Sequence, residues 1–171
     1  IKVDPVGGPM LDTLAAQVGT YGLSIPLLGA TTKYCQWTDP SNETCWTFET
    51  VFDPNSIEMA AGDSFTFAWG ATDAAVAGST WAVFLSYTDV AGTKYLQMNY
   101  VTDGGSTTGD SVTITDAPHR IKLIYSASTG AGNDDGWIKL YVDDVLEIEY
   151  SGLDTDQRLI DKFNVGAAGV D

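Results

Sequence analysis

The stretch from His119 to Asp154, HRIKLIYSASTGAGNDDGWIKLYVDDVLEIEYSGLD, alternates apolar and polar residues with a period of two in three successive runs. Ile121, Leu123 and Tyr125 alternate with Arg120 and Lys122. Ile138 and Leu140 flank Lys139, and Leu146, Ile148 and Tyr150 flank Glu147 and Glu149. Side chains on a strand point to opposite faces in turn, so this pattern predicts antiparallel strands with one face on a core and the other in water. The VDD turn sets the hairpin register. A two-residue Asp143-Asp144 loop would pair Leu140 with Glu147 and Ile138 with Glu149, mixing the faces. A three-residue loop of Val142, Asp143 and Asp144 pairs Leu140 with Leu146, Ile138 with Ile148 and Lys139 with Glu147, and is the expected form.

The rest of the chain repeats the theme. Runs rich in β-branched and aromatic residues are expected as strands at about 22–28, 45–52, 64–69, 81–87, 93–101, 111–115, 119–126, 137–141, 145–151 and 160–165. They are separated by turn chemistry such as Asp53-Pro54-Asn55, Ala61-Gly62-Asp63 and Asp103-Gly104-Gly105. Only Asp12 to Val18 could make about two helical turns. With 171 residues and no dividing linker, the chain is long enough for one sizeable core: residues 1–21 read as an N-terminal arm and 22–171 as one all-β domain.

The formal net charge of −15 repels nucleic-acid phosphates and anionic lipid, so neither is an expected partner, and no apolar run is long enough for a helical membrane span. Neutral glycans, cations and a neighbouring protein subunit remain compatible. Cys35 and Cys45 flank QWTDPSNET, where Pro40, Ser41 and Asn42 can form a turn. A disulfide across it is the expectation, which would fit an exported protein; two reduced cysteines are the alternative. Asn42-Glu43-Thr44 is a glycosylation sequon, a permissive signal only.

Several phrases carry a resemblance. NDDGWIKLYVDD, SGLDTD and IDKFNVGA are similar to the C-terminal half of the concanavalin A-like, laminin G-like jelly rolls of bacterial secreted and surface proteins. FETVFDPNSIEMAAGDSFTFAWG and WAVFLSYTDVAGTKYLQMNY match them more loosely. The resemblance spans roughly residues 22–171 and departs at Asp144, where the family usually has glycine. It implies a two-sheet antiparallel β-sandwich that is extracellular and non-enzymatic, serving recognition or adhesion with glycans as candidate ligands. The rival is a structural subunit of an extracellular assembly, and a glycanase or lyase stands third. Relatives continue past the equivalent of VGAAGVD into one more strand, so the sheet edge is expected to be closed by the arm from Ile1, by a partner strand or by a continuation. Interruption of the arm by Pro5, Gly7, Gly8 and Pro9 favours the latter two.

Catalytic chemistry has little support in the residues. His119, the single histidine, follows Pro118 at a strand start and reads as a strand-edge residue; no G-x-S-x-G elbow occurs. Glu147 and Glu149 lack the third carboxylate that glycanases of this fold carry on one strand, and Glu147 is assigned to Lys139. Calcium has two candidate sites: Asn133, Asp134 and Asp135 in a glycine-rich loop, and Asp154 with Asp156, although adjacent aspartates in turns commonly only form the turn. For sugar stacking, Trp37 in the cysteine-flanked loop and Trp137 beside Asn133 are the candidate platforms. Trp46, Trp69 and Trp81 share a face with apolar neighbours and are assigned to the core.

Overall fold

The computed structural model describes residues 32–168 except 56, 58, 77 and 106, together with short strands at 2–3, 10–12 and 22–24. The described residues form thirteen strands: β1 (Lys2–Val3), β2 (Met10–Asp12), β3 (Gly22–Ser24), β4 (Lys33–Glu43), β5 (Cys45–Phe52), β6 (Ser64–Val76), β7 (Ser79–Val90), β8 (Thr93–Val101), β9 (Thr107–Ile114), β10 (His119–Ser126), β11 (Gly136–Val142), β12 (Val145–Leu153) and β13 (Ile160–Ala168). Seven make a large antiparallel sheet in the order β1-β4-β13-β6-β7-β8-β9, four make a small one in the order β12-β11-β10-β5, and β2-β3 form a separate ribbon. The large and small sheets stack as a β-sandwich. Of the expected helical turns, Asp12 closes β2, and residues 13–18 lie outside the described residues, as do 25–28 of the first expected strand.

Alternation builds the core as the sequence implies. Ile121, Leu123, Tyr125, Ile138 and Leu140 are almost wholly buried and meet Phe65, Val83, Leu85, Leu96 and Met98 from the large sheet. Each such side chain contributes about 1.5–3 kcal/mol by leaving water. Trp46 packs where expected, stacked 6.0 Å from Phe48 and 4.6 Å from Phe163.

The β11–β12 hairpin differs from the expected register. Asp143 and Asp144 both have positive φ (51° and 67°), which makes a two-residue turn, with Val142 opposite Val145 and Tyr141 opposite Leu146. A bulge then takes up one residue, so that Leu140 faces Ile148, Ile138 faces Tyr150 and Lys139 faces Glu149. The bulge restores the apolar phase that an uninterrupted two-residue loop would lose. It also moves Leu146 to the outer face, 41% exposed, and gives Lys139 a 2.9 Å ion pair with Glu149 instead of Glu147. Accordingly, Ile148→Asp should cost several kcal/mol by burying an unpaired charge, whereas Leu146→Asp should stay within about 1 kcal/mol in urea unfolding. Equal losses would restore the three-residue loop.

Residues 33–43, expected as a loop, form β4. Cys35 lies on it opposite Val165 and Val3 in the large sheet, and Cys45 opens β5 opposite Ser126 in the small sheet. Both thiols are free. No hairpin turns between them: β4 runs on through Pro40 and hands the chain to the other sheet, so the expected disulfide is not formed. The arm does fold back, Lys2–Val3 pairing with Gln36 and Cys35, and β13 lies between β4 and β6 with neighbours on both sides.

Candidate functional site

Two β-bulges decide what the outer face of the large sheet presents. Along β6–β7, Phe65 faces Tyr87 and Thr66 faces Ser86, but the next pair is Ala68 with Leu85, leaving Phe67 as an extra residue on β6. Three pairs on, Gly70 faces Val83 and Ala71 faces Trp81, leaving Ala82 extra on β7. Each bulge puts two successive residues inward: Phe67 with Ala68, and Ala82 with Val83, all in the main core. The phase flips, and Trp69 and Trp81 turn away from the core to which the alternation assigned them.

They join a second cluster with Tyr34, Phe84, Ala71 and Ala168. Trp69 and Trp81 stack 5.9 Å apart, Tyr34 meets Trp69 edge-on at 5.3 Å, and Phe84 meets Trp81 edge-on at 4.8 Å. Trp69 is the buried floor, and Trp81 and Tyr34 are partly open. Gly166, opposite Tyr34, permits the close approach of β4 to β13, because a Cβ there would run into the backbone of Lys33 and Tyr34.

Tyr34, Trp69 and Trp81 line an open groove of about 510 Å³, with Gln36, Asn164, Thr32, Thr72, Thr80 and Lys162 along it. Sheet register explains the alignment: Gln36, Asn164, Trp69, Phe84 and Asn99 lie side by side on five neighbouring strands. Beside them Ser86 faces Thr66 and Gln97, and the Thr66 and Ser86 hydroxyls lie 2.9 Å apart. Among the described lining residues Lys162 is the charged one, and Asp73 holds it at 2.6 Å. A chain of net charge −15 thus keeps aromatics, amides and hydroxyls together on one nearly uncharged face.

The residues singled out from the sequence are placed elsewhere and apart. Trp37 is 46% exposed on β4 opposite Phe163, in the large sheet. Trp137 lies on β11 in the small sheet, with the Lys139 ammonium 5.3 Å from its ring centre. Asn133, Asp134 and Asp135 are exposed, and their loop is closed on itself: Thr129 donates its backbone N–H and hydroxyl to Asp135 at 2.8 and 2.7 Å, and the Asn133 amide donates to Thr129. Those bonds hold the Asp135 carboxyl below its usual range. They tie one acceptor site on each Asp135 oxygen into the turn.

The other acidic pair does converge. Asp154 and Asp156 meet Asp103 from the turn after β8, one carboxylate oxygen from each lying within 4.8 Å of the others. Burial pushes the Asp103 carboxyl up; the Gln157 backbone N–H, 3.0 Å away, opposes this, and the Asp156 carboxyl and the charge of Asp154 add to the rise. Beneath lies Arg158, wholly buried. Its Nε donates to Thr102 O, one terminal nitrogen to Ser79 O and Trp81 O, and the other to Val76 O and Thr102 O, at 2.7–3.2 Å.

His119 is buried rather than a free strand edge. Its Nδ1 lies 2.7 Å from Asp143 Oδ2, while its Nε2 accepts the Thr115 backbone N–H at 3.1 Å with the Thr115 hydroxyl at 3.0 Å. Because Nε2 accepts that N–H, the ring proton sits on Nδ1, and the ring latches the β11–β12 turn to the loop after β9. The interaction also keeps the Asp143 carboxyl below its usual range.

No family model matches the sequence, and no curated protein matches it. Among solved structures the chain is similar to the botulinum neurotoxin serotype G binding domain (TM-score 0.57, 8% identity, 98% of this chain and 41% of that one). It is also similar to the botulinum neurotoxin type G receptor binding domain (0.50, 8%, 99% and 41%) and to an alginate lyase from Alteromonas sp.272 (0.46, 11%, 74% and 53%). The chain therefore spans about two fifths to one half of the length of these structures. The two toxin domains share with it the β-sandwich fold.

Proposed function

We propose that this chain is a non-enzymatic, exported recognition module of the laminin G-like jelly-roll kind that binds neutral glycans along the outer face of its large sheet. The observation that carries this reading is the pair of bulges that turns Trp69 and Trp81 out of the core and into a groove beside Gln36 and Asn164, whose one lysine, Lys162, is paired with Asp73. A pyranose offers an apolar C–H face to an indole and hydroxyls to amides, and such a groove supplies both. The toxin domains that share the fold are binding domains by name, which accords with a sandwich whose faces serve recognition.

A glycan array followed by calorimetry tests the reading. Neutral oligosaccharides should bind, and Trp81→Ala should weaken them roughly 10–100-fold, the loss of one aromatic platform of about 1.5–3 kcal/mol. Trp137→Ala should leave binding unchanged. Loss of binding through Trp137 alone would move the site to the small sheet, and turnover of the bound sugar would replace this reading with a glycanase or lyase. An ordered oligomer without sugar binding, seen by light scattering, would favour the structural-subunit alternative.

A further inference from the structure

We infer that Asp103, Asp154 and Asp156 form a binding site for a calcium-class divalent cation at the rim of the sandwich, independent of the aromatic groove. The three carboxylates come from two turns that the backbone already ties together: Asp103 N donates to Asp154 O at 3.0 Å, and Gln157 N donates to Asp103 Oδ2 at 3.0 Å. One oxygen from each carboxylate lies within 4.8 Å of the others, a spread that a single ion with bonds of about 2.3–2.6 Å can bridge.

A second observation points to an occupant. The Asp103 side chain is 6% exposed, and its Oδ1 is buried without a hydrogen-bond partner among the described residues. Arg158 Nε stands 3.7 Å from Oδ1, but the guanidinium spends all five of its N–H groups on backbone carbonyls. It therefore supplies charge without a donor. Three carboxylates face one guanidinium, an acidic surplus that one divalent cation offsets. The same ion would fill the vacant acceptor position at Oδ1. Asp154 is exposed and Asp156 half-buried, so the ion has a path from solvent and room for water ligands. Calcium is preferred over magnesium because three carboxylates completed by water suit its larger shell of about six to eight oxygens and its tolerance of irregular geometry.

Calorimetric titration of chelator-treated full-length chain with calcium chloride, paired with thermal unfolding, tests the site. One saturable calcium per chain is expected. At a free concentration about 100-fold above Kd, the melting temperature should rise roughly 5–10 °C. The Asp154→Asn/Asp156→Asn double variant alters only the rim carboxylates and leaves the buried Asp103 in place. It should melt like the metal-free parent, lose at least tenfold in affinity and show little of the shift. Asp134→Asn should bind calcium like the parent. The inference is overturned by the absence of saturable binding in the parent, by undiminished binding in the double variant, or by a loss that follows Asp134 instead. None of these readouts depends on sugar binding.

Discussion

Arg158→Met should lower stability by about 3–5 kcal/mol, a large share of the total for a domain of this size, and lower the melting temperature by roughly 10–15 °C. The side chain is wholly buried and stitches four backbone carbonyls from three segments: Val76 at the end of β6, Ser79 and Trp81 at the start of β7, and Thr102 after β8. Methionine fills much of the volume but withdraws all five guanidinium hydrogen bonds from those carbonyls, although Thr102 O keeps the Gly105 N–H at 2.9 Å, and it strips Asp103 of the positive charge beside it. Arg158→Lys should also be destabilising, by less, because an ammonium keeps the charge but cannot reach the same carbonyls with a planar fork. Tyr125 is tied in as well, donating its hydroxyl to Arg158 O at 2.8 Å, so the segment it anchors is part of the core. Urea unfolding of the two variants measures the difference; a loss under about 1 kcal/mol for Arg158→Met would mean that water replaces the guanidinium without penalty.

Gly136→Val should cost about 2–4 kcal/mol, although NDDG reads as an ordinary turn. A Cβ at Gly136 would lie 2.5 Å from Thr155 Oγ1, 2.9 Å from Leu153 O and 3.0 Å from Ser128 N. Two of those atoms belong to backbone and cannot swing aside. Ser128 and Thr155 exchange hydrogen bonds at this point, Ser128 N to Thr155 Oγ1 at 3.2 Å and Thr155 N to Ser128 Oγ at 2.9 Å, and the intruding side chain would break that exchange. Gly130→Ala in the same loop is the control: its nearest new neighbour is 3.9 Å away, and the change should stay within about 0.5 kcal/mol. Because Thr155 lies between Asp154 and Asp156, Gly136→Val should also weaken calcium binding. Equal melting temperatures for the two glycine variants would show that close approach at Gly136 does not matter.

The all-β class of the fold is legible in the sequence. Alternation over 119–126 and 136–142 put Ile121, Leu123, Tyr125, Ile138 and Leu140 inside, and all five are almost wholly buried. Local periodicity suffices there because a regular strand repeats its geometry every two residues. It fails at a bulge, which reverses the phase without any residue type that marks it. That is how Leu146 was assigned inward and how Trp69 and Trp81 were assigned to the core; the one trace in the sequence is the small Ala68 and Ala82 beside the tryptophans. The cysteine-flanked segment misled for a related reason, since Pro40 reads as a turn but sits in β4, near the outer edge of the sheet.

Asp154 and Asp156 were visible as a pair, but Asp103 lies about fifty residues away and read only as the start of a glycine turn; Arg158 gave no signal at all. By itself the sequence determined an acidic, all-β chain and the strand pattern of its C-terminal half, because charge and alternation are local properties of the residues; the two-sheet sandwich was implied by the resemblance. Tertiary structure alone decided which aromatics face water, which carboxylates meet and which thiols stay apart. Those outcomes depend on bulges, cross-strand register and buried hydrogen bonds between segments distant in the chain, and no local pattern encodes them.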